Sequence, residues 1–216
     1  MFAQNILLVG GGSGGGTSLD LTPRSGLATT TDASSHTLSS CPIGDANDNR
    51  WVVVFAFSNG STANMGNASI TIDGSAADYL VNRGSSFNRF DGVYGYSKVT
   101  GGTSIDIVVD TGSDSRGMVI QAYTFNSEQV NPAAVSSIGV TITPASGDCA
   151  IFGFCSGSSG AVFTDTADIT TDQLTDVYTN SSGHIGHILS CDGGEYNYQP
   201  NPAGGGYAAG AVSFEF

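Results

Sequence analysis

The sequence predicts an all-β protein built as one antiparallel β-sandwich, and three observations carry that expectation. The longest unbroken apolar run is Trp51-Val-Val-Val-Phe-Ala-Phe57, bounded by turn chemistry in Asp45-Ala-Asn-Asp-Asn49 before it and Ser58-Asn-Gly-Ser61 after it. A run so rich in β-branched and aromatic residues reads as a strand buried on both faces. It is far short of the roughly 20 apolar residues that span a bilayer. Second, the chain has 31 glycines in 216 residues, about double their usual ~7%. With Ser, Thr, Asn and Asp they fill the gaps between short apolar runs, as turns between strands do. Third, charged residues make up only 12%, against a usual ~25%, and no convincing amphipathic helix is present. Hydrophobic residues, at 39%, suffice for a sizeable core.

In order, residues 1–9 form a short apolar segment that can add as a strand, and Gly10-Gly-Gly-Ser-Gly-Gly-Gly16 is a flexible hinge by composition. Residues 1–16 are therefore an arm and hinge, and residues 17–216 the sandwich domain. The stretch from Leu19 to Leu38 is polar with sparse leucines. His36 to Ile43 leads as a strand into the Gly44–Asn49 turn, and Arg50–Phe57 follows. Ala68-Ser-Ile-Thr-Ile72 alternates and closes at Asp73-Gly74, a hairpin signal. Ala76–Val81, Gly92–Val99, Ser104–Val109 and Arg116–Phe125 read as further strands, with a turn at Thr111–Ser115. Val135–Thr143, Cys149–Cys155, Ser182–Ser190 and Tyr207–Phe216 continue the series. Residues 161–177 read as polar, and 192–206 as a Gly/Pro/Tyr loop. That makes roughly ten to twelve strands at sandwich spacing.

The formal charge is −13, and the six cations Arg24, Arg50, Arg83, Arg89, Lys98 and Arg116 are dispersed. Nucleic-acid binding and attachment to an anionic membrane both need clustered cations, so neither is expected. Acidity serves solubility instead. Met1–Val9 lacks a basic n-region, and its apolar stretch is shorter than the ~7–15 residues of a signal peptide. The chain is expected to be made and kept in the cytoplasm until lysis or assembly, with Cys41, Cys149, Cys155 and Cys191 as free thiols. Cys149 and Cys155 in one strand would stand ~20 Å apart, beyond the ~7 Å limit for a disulfide.

The chemical motifs are weak. Asp45-Ala-Asn47-Asp48-Asn49 begins like a calcium loop, but Arg50 stands where glycine belongs and Ala56 where the bidentate glutamate belongs. His184 and His187 are three apart, so on a strand they face opposite ways. A Ser-His-Asp triad stays open because Ser and Asp are everywhere, but no Gly-x-Ser-x-Gly elbow sits on a strand-to-helix turn. The rare glutamates, Glu128, Glu195 and Glu215, single out no glycosidase pair. No catalytic residue, cofactor or metal is expected. Asn59, Asn67 and Asn180 begin glycosylation sequons that read as plain turns. Tyr196, Tyr198 and Tyr207 offer a sugar-stacking surface, loop packing or a subunit contact.

Several hydrophobic-pattern motifs run over most of the chain: Ile43-Gly44-Asp-Ala-x-x-x-Arg50; Ile70-x-Ile-x-Gly74-x-Ala76-Ala77; Thr103-x-Ile-Asp-Ile-Val-Val109 with Arg116-Gly-Met-Val-Ile120; Val140-x-Ile-x-Pro144-x-x-Gly147; and Ala208-Ala-Gly-Ala-Val-Ser-Phe214. Through them the chain resembles a family of small β-sandwich proteins of tailed-bacteriophage virions, notably phages of marine bacteria and gene transfer agents. The resemblance implies a jelly-roll-like sandwich that decorates or cements the phage head, or forms a fibre domain, with no active site. Expected partners are the major capsid protein or other virion proteins, and further copies of this chain, a trimer for instance. Ile6, Leu7, Leu8 and Val9 are the candidate docking segment, and Tyr196, Tyr198 and Tyr207 a second candidate surface. The alternative function is a tail-fibre, receptor-binding or carbohydrate-binding module.

Overall fold

The structure, a computed structural model, describes residues 21–60, 68–83, 90–127, 131–135, 141–164, 169–178, 181–201 and 206–215. The expected arm, with Ile6, Leu7, Leu8 and Val9, lies outside them, as do Asn67 and Asn180. The described strands are, in order, β1 (Thr22–Thr29), β2 (Ala33–Pro42), β3 (Arg50–Gly60), β4 (Ser69–Ile72), β5 (Ser75–Ala76), β6 (Tyr79–Arg83), β7 (Phe90–Lys98) and β8 (Ser104–Asn126). They continue with β9 (Asn131–Val135), β10 (Thr141–Ile142), β11 (Cys149–Ser156), β12 (Val162–Phe163), β13 (Thr170–Tyr178), β14 (Ser181–Ile188), β15 (Tyr196–Asn197), β16 (Pro200–Asn201) and β17 (Tyr207–Glu215). No helix occurs among the described residues, and every strand pair is antiparallel. The all-β sandwich expected from the sequence is what the chain forms.

β3 sits at the middle because its residues are apolar on both sides. Val53, Phe55 and Phe57 face one cluster, with Tyr94, Tyr123, Ile151, Ile185, Val212 and Phe214, and Val52, Val54 and Ala56 face another. The first cluster is the seam between the large sheet and the five-stranded sheet β13-β14-β11-β17-β9. Trp51, at the start of the strand, is half-buried: its ring meets Tyr96 edge-on and its Nε1 donates to Ser127 O at 3.0 Å.

The second cluster exists because the large sheet curls on itself. β8 is one strand of 23 residues, where the sequence predicts two strands and a turn at 111–115. β1 and β3 both pair with residues 118–124, so they flank β8 on opposite edges; β2 and β4 flank residues 107–110 in the same way. Between these halves the strand bends without breaking. Gly112 takes φ 68°, which favours glycine, and its N–H donates to Asp110 Oδ1 at 2.7 Å. The bend folds Ile105, Ile107 and Val109 against Met118, Ile120 and Ala122, which enclose Val52 and Val54 with Ile70 and Ile72.

The outer face of the five-stranded sheet has its own cover. Phe152, Phe154, Ala209 and Ala211 project outward from β11 and β17, and Phe163, Tyr196 and Tyr198 close over them. The short pairs β10–β15 and β12–β16 hold that cover in place. Residues 161–177, read from sequence as polar with no strand assigned, contribute β12 and most of β13. β13 lies at the sheet edge, where alternate residues can face solvent and few apolar side chains suffice.

Candidate functional site

The turn before β3 is organised by an arginine. Arg50 is 2% exposed and makes no ion pair among the described residues. Its Nε donates to Val99 O at 2.9 Å, and Nη1 donates to Gly44 O at 2.9 Å and Asp45 O at 2.6 Å. Nη2 donates to Gly102 O at 3.1 Å and also to Gly101 O. A guanidinium has five N–H donors, so these bonds use all of them. The would-be calcium loop is thus closed by its own side chain: the carbonyls of residues 44 and 45 face Arg50, and Asn47 Oδ1 accepts the Asn49 N–H at 2.8 Å. Burial, then the nearby charge of Arg24, lowers the affinity of Arg50 for its proton, and Asp45 partly offsets this.

A second polar centre lies at the seam between the sheets. Asp172 Oδ2 accepts from Tyr123 Oη at 2.6 Å and contacts His187 Nδ1 at 2.7 Å. The imidazole and carboxylate side chains are 6% and 7% exposed. Burial and then the Asp172 charge push the Tyr123 phenol well above its ordinary range. His184, on the opposite face of β14 as the spacing predicts, contacts Thr171 Oγ1 through Nε2 at 2.8 Å and lies 4.1 Å from Phe163, centroid to centroid. Burial lowers its pKa to about 4, so it stays neutral near pH 7.

The parts of a Ser-His-Asp triad occur at two separate places. His36 Nε2 contacts Ser115 Oγ at 2.7 Å, and Ser115 Oγ also donates to Ala33 O. His187 has the carboxylate, and among the described residues no serine, threonine or cysteine bonds to it. A relay needs nucleophile, base and carboxylate in one chain of bonds, and these two centres share no residue. No group of three or more His, Cys, Asp or Glu side chains is placed to hold a metal among the described residues.

The tyrosines expected as a contact surface are divided by burial. Tyr196 is 3% exposed and Tyr198 0%, both packed beside Phe152; Tyr207 is half-buried. A sugar stacks on an exposed ring face, so Tyr196 and Tyr198 serve the core instead. They turn inward because the outer faces of Phe152 and Phe154 need covering. Tyr196 keeps its hydroxyl on Asp192 Oδ1 and the Asp192 N–H, each at 3.0 Å. Asn59 lies at the end of β3 rather than in a turn, and its Nδ2 donates to Ser181 Oγ at 3.0 Å across the seam. The four cysteines are free and buried, and burial is the main reason that Cys149 and Cys191 titrate near 12.

Arg50 as the key of the turn, and Asp172 as an inter-sheet tie, were not found from sequence. The signals for Arg50 were its place in the calcium-like loop where glycine was due and its place at the end of the Ile43–Arg50 motif; neither told what it binds. Asp172 had none, standing in a segment read only as polar. Compared with protein-family models, curated proteins and solved structures, the chain matches none of them.

Proposed function

We propose that the protein is a non-enzymatic structural component of a tailed-bacteriophage virion that decorates or cements the capsid surface. The observation that supports this best is the use the fold makes of the residues through which the chain resembles that family. Ile43, Ile70, Ile72, Ile105, Ile107, Met118 and Ile120 are all buried in one cluster inside the curled sheet. Arg50, the last residue of the first motif, spends its donors on backbone carbonyls of two turns. The His36–Ser115 and Tyr123–Asp172–His187 contacts are used in the same way, as ties between strands. Ties of this kind suit a protein whose role is to hold a particle together.

In this reading residues 1–16 dock on the major capsid protein, another virion protein or a further copy of the chain. Ile6 to Val9 would extend the edge of a neighbouring sheet through backbone hydrogen bonds. The protein would be synthesised in the host cytoplasm and end in the virion. Mass spectrometry of purified particles tests this: the chain is expected among their structural proteins, and its absence from them overturns the reading.

A further inference from the structure

Two of the chain's six cationic side chains meet at one cavity, and neither pairs with a carboxylate among the described residues. The cavity, about 150 Å³, opens beside the turn before β3 and is walled in part by Arg24, Gly44, Asp45, Arg50, Thr124 and Asn126. Arg50 brings charge to it but no free donor, because its N–H groups are spent on carbonyls. Arg24 differs. Its Nε donates to Thr124 Oγ1 at 2.6 Å, while Nη1 and Nη2 have no protein acceptor among the described residues.

The placement of Arg24 is built into the backbone. Pro23 pairs with Tyr123 and Gly26 with Gln121, so Arg24 and Ser25 together oppose Ala122 alone. That is a β-bulge, a device that re-aims a side chain. The Arg24 carbonyl accepts from Gln121 Nε2 at 2.9 Å, which holds the bulge. Gly44 lies beneath the guanidinium with φ 82°, and a Cβ there would stand 2.8 Å from Arg24 Nη2. The positive φ favours glycine here, and a methyl in its place would push the guanidinium aside. Asp45 lines the same cavity and offsets part of the positive charge without pairing with either arginine.

We propose that this cavity is an oxyanion site, taking a carboxylate or phosphate group in the fork of Arg24 Nη1 and Nη2. A guanidinium fork matches two oxygens of such a group. The Arg50 charge backs the site, and an incoming anion relieves the repulsion between the two guanidinium groups. On a chain of net charge −13, general anion attraction is ruled out by the overall field, so any binding must be local.

The test titrates inorganic phosphate and acetate, each against sodium chloride at matched ionic strength, into the full chain while following the Arg24 Nε–Hε and Asn126 side-chain NMR resonances. A saturable shift with phosphate, acetate or both is expected, and the pattern tells which oxyanion the site prefers. Arg24→Gln, followed through Asn126, should lower affinity about tenfold or more, and Thr124→Val, which frees the guanidinium from its orienting acceptor, should also weaken it. Arg24→Lys keeps the charge without the fork and should fall between. Shifts no different from those with chloride overturn the proposal, as does equal affinity in Arg24→Gln and Thr124→Val variants that retain the parent's amide spectrum elsewhere.

Discussion

The ring of Phe57 rests directly on Gly153: a Cβ added to Gly153 would stand 2.2 Å from Phe57 Cε2. Phe57 leaves β3 into the seam, and Gly153 is in the middle of β11, so this contact joins the two large sheets. Gly92, the cross-strand partner of Phe57 on β7, makes room for the same ring, with a 2.4 Å approach to Cε1.

Gly153→Ala should therefore destabilise the protein by about 1–3 kcal/mol, the usual cost of overpacking a filled core. Gly101→Ala, where the added methyl meets nothing within 4 Å, is the control and should be near neutral. Urea denaturation of both variants checks the contrast. Equal midpoints would mean that the sheets pack less closely here than the structure shows.

Removing the Arg50 clamp should cost more. Arg50→Met keeps the side-chain length and takes away every donor, leaving the carbonyls of residues 44, 45, 99, 101 and 102 to find other partners. We expect a loss of about 3 kcal/mol or more, since bonds to a charged group contribute about 1.5–3 kcal/mol each and some carbonyls regain water. Equilibrium unfolding measures it, and a loss below about 1 kcal/mol would contradict the role given to this residue.

These two positions show what was legible in the sequence. The apolar run at 51–57 announced a doubly buried strand, the alternation at 68–72 with Asp73-Gly74 announced a hairpin, and both form. A period of two reveals which residues share a face. It does not reveal which sheet covers that face, so the curl of β8 went unread, and packing was only one of three readings open for Tyr196 and Tyr198. Bending β8 takes a single glycine at positive φ, and Thr111–Ser115 looks the same whether the chain turns back or merely bends. The polar ties Arg50 and Asp172 also reach far along the chain: beyond its neighbours Gly44 and Asp45, Arg50 depends on Val99, Gly101 and Gly102, 49 or more residues away, and Asp172 depends on Tyr123, 49 residues away. No local pattern could supply those pairings.

Acid should weaken the fold through His184. Its folded pKa is about 4 against 6.5 when unfolded, so the unfolded chain binds the proton first. Stability is then complete above about pH 6.5 and falls as pH drops toward 4, by up to about 1.4 kcal/mol per unit from this group. His36, also lowered by burial, acts in the same direction. His184→Gln should flatten the stability profile between pH 6.5 and 5; an unchanged slope would exclude this histidine as its source.

The buried thiols should be silent until the fold opens. With Cys149 and Cys191 titrating near 12 and all four cysteines buried, a thiol reagent at pH 8 should label none of them in the native protein. In denaturant without reductant it should label four. Two or none in denaturant would mean disulfides form, and would overturn the expectation of a reducing compartment.

The most direct test of the proposed role is rebinding to particles. Particles of the parent phage stripped of this protein are mixed with the full chain or with residues 17–216, and sedimented. The account predicts that the full chain coats the particles and that the shortened chain stays in the supernatant. Failure of the full chain to sediment with them would contradict the virion role, and equal binding by the shortened chain would contradict the docking arm.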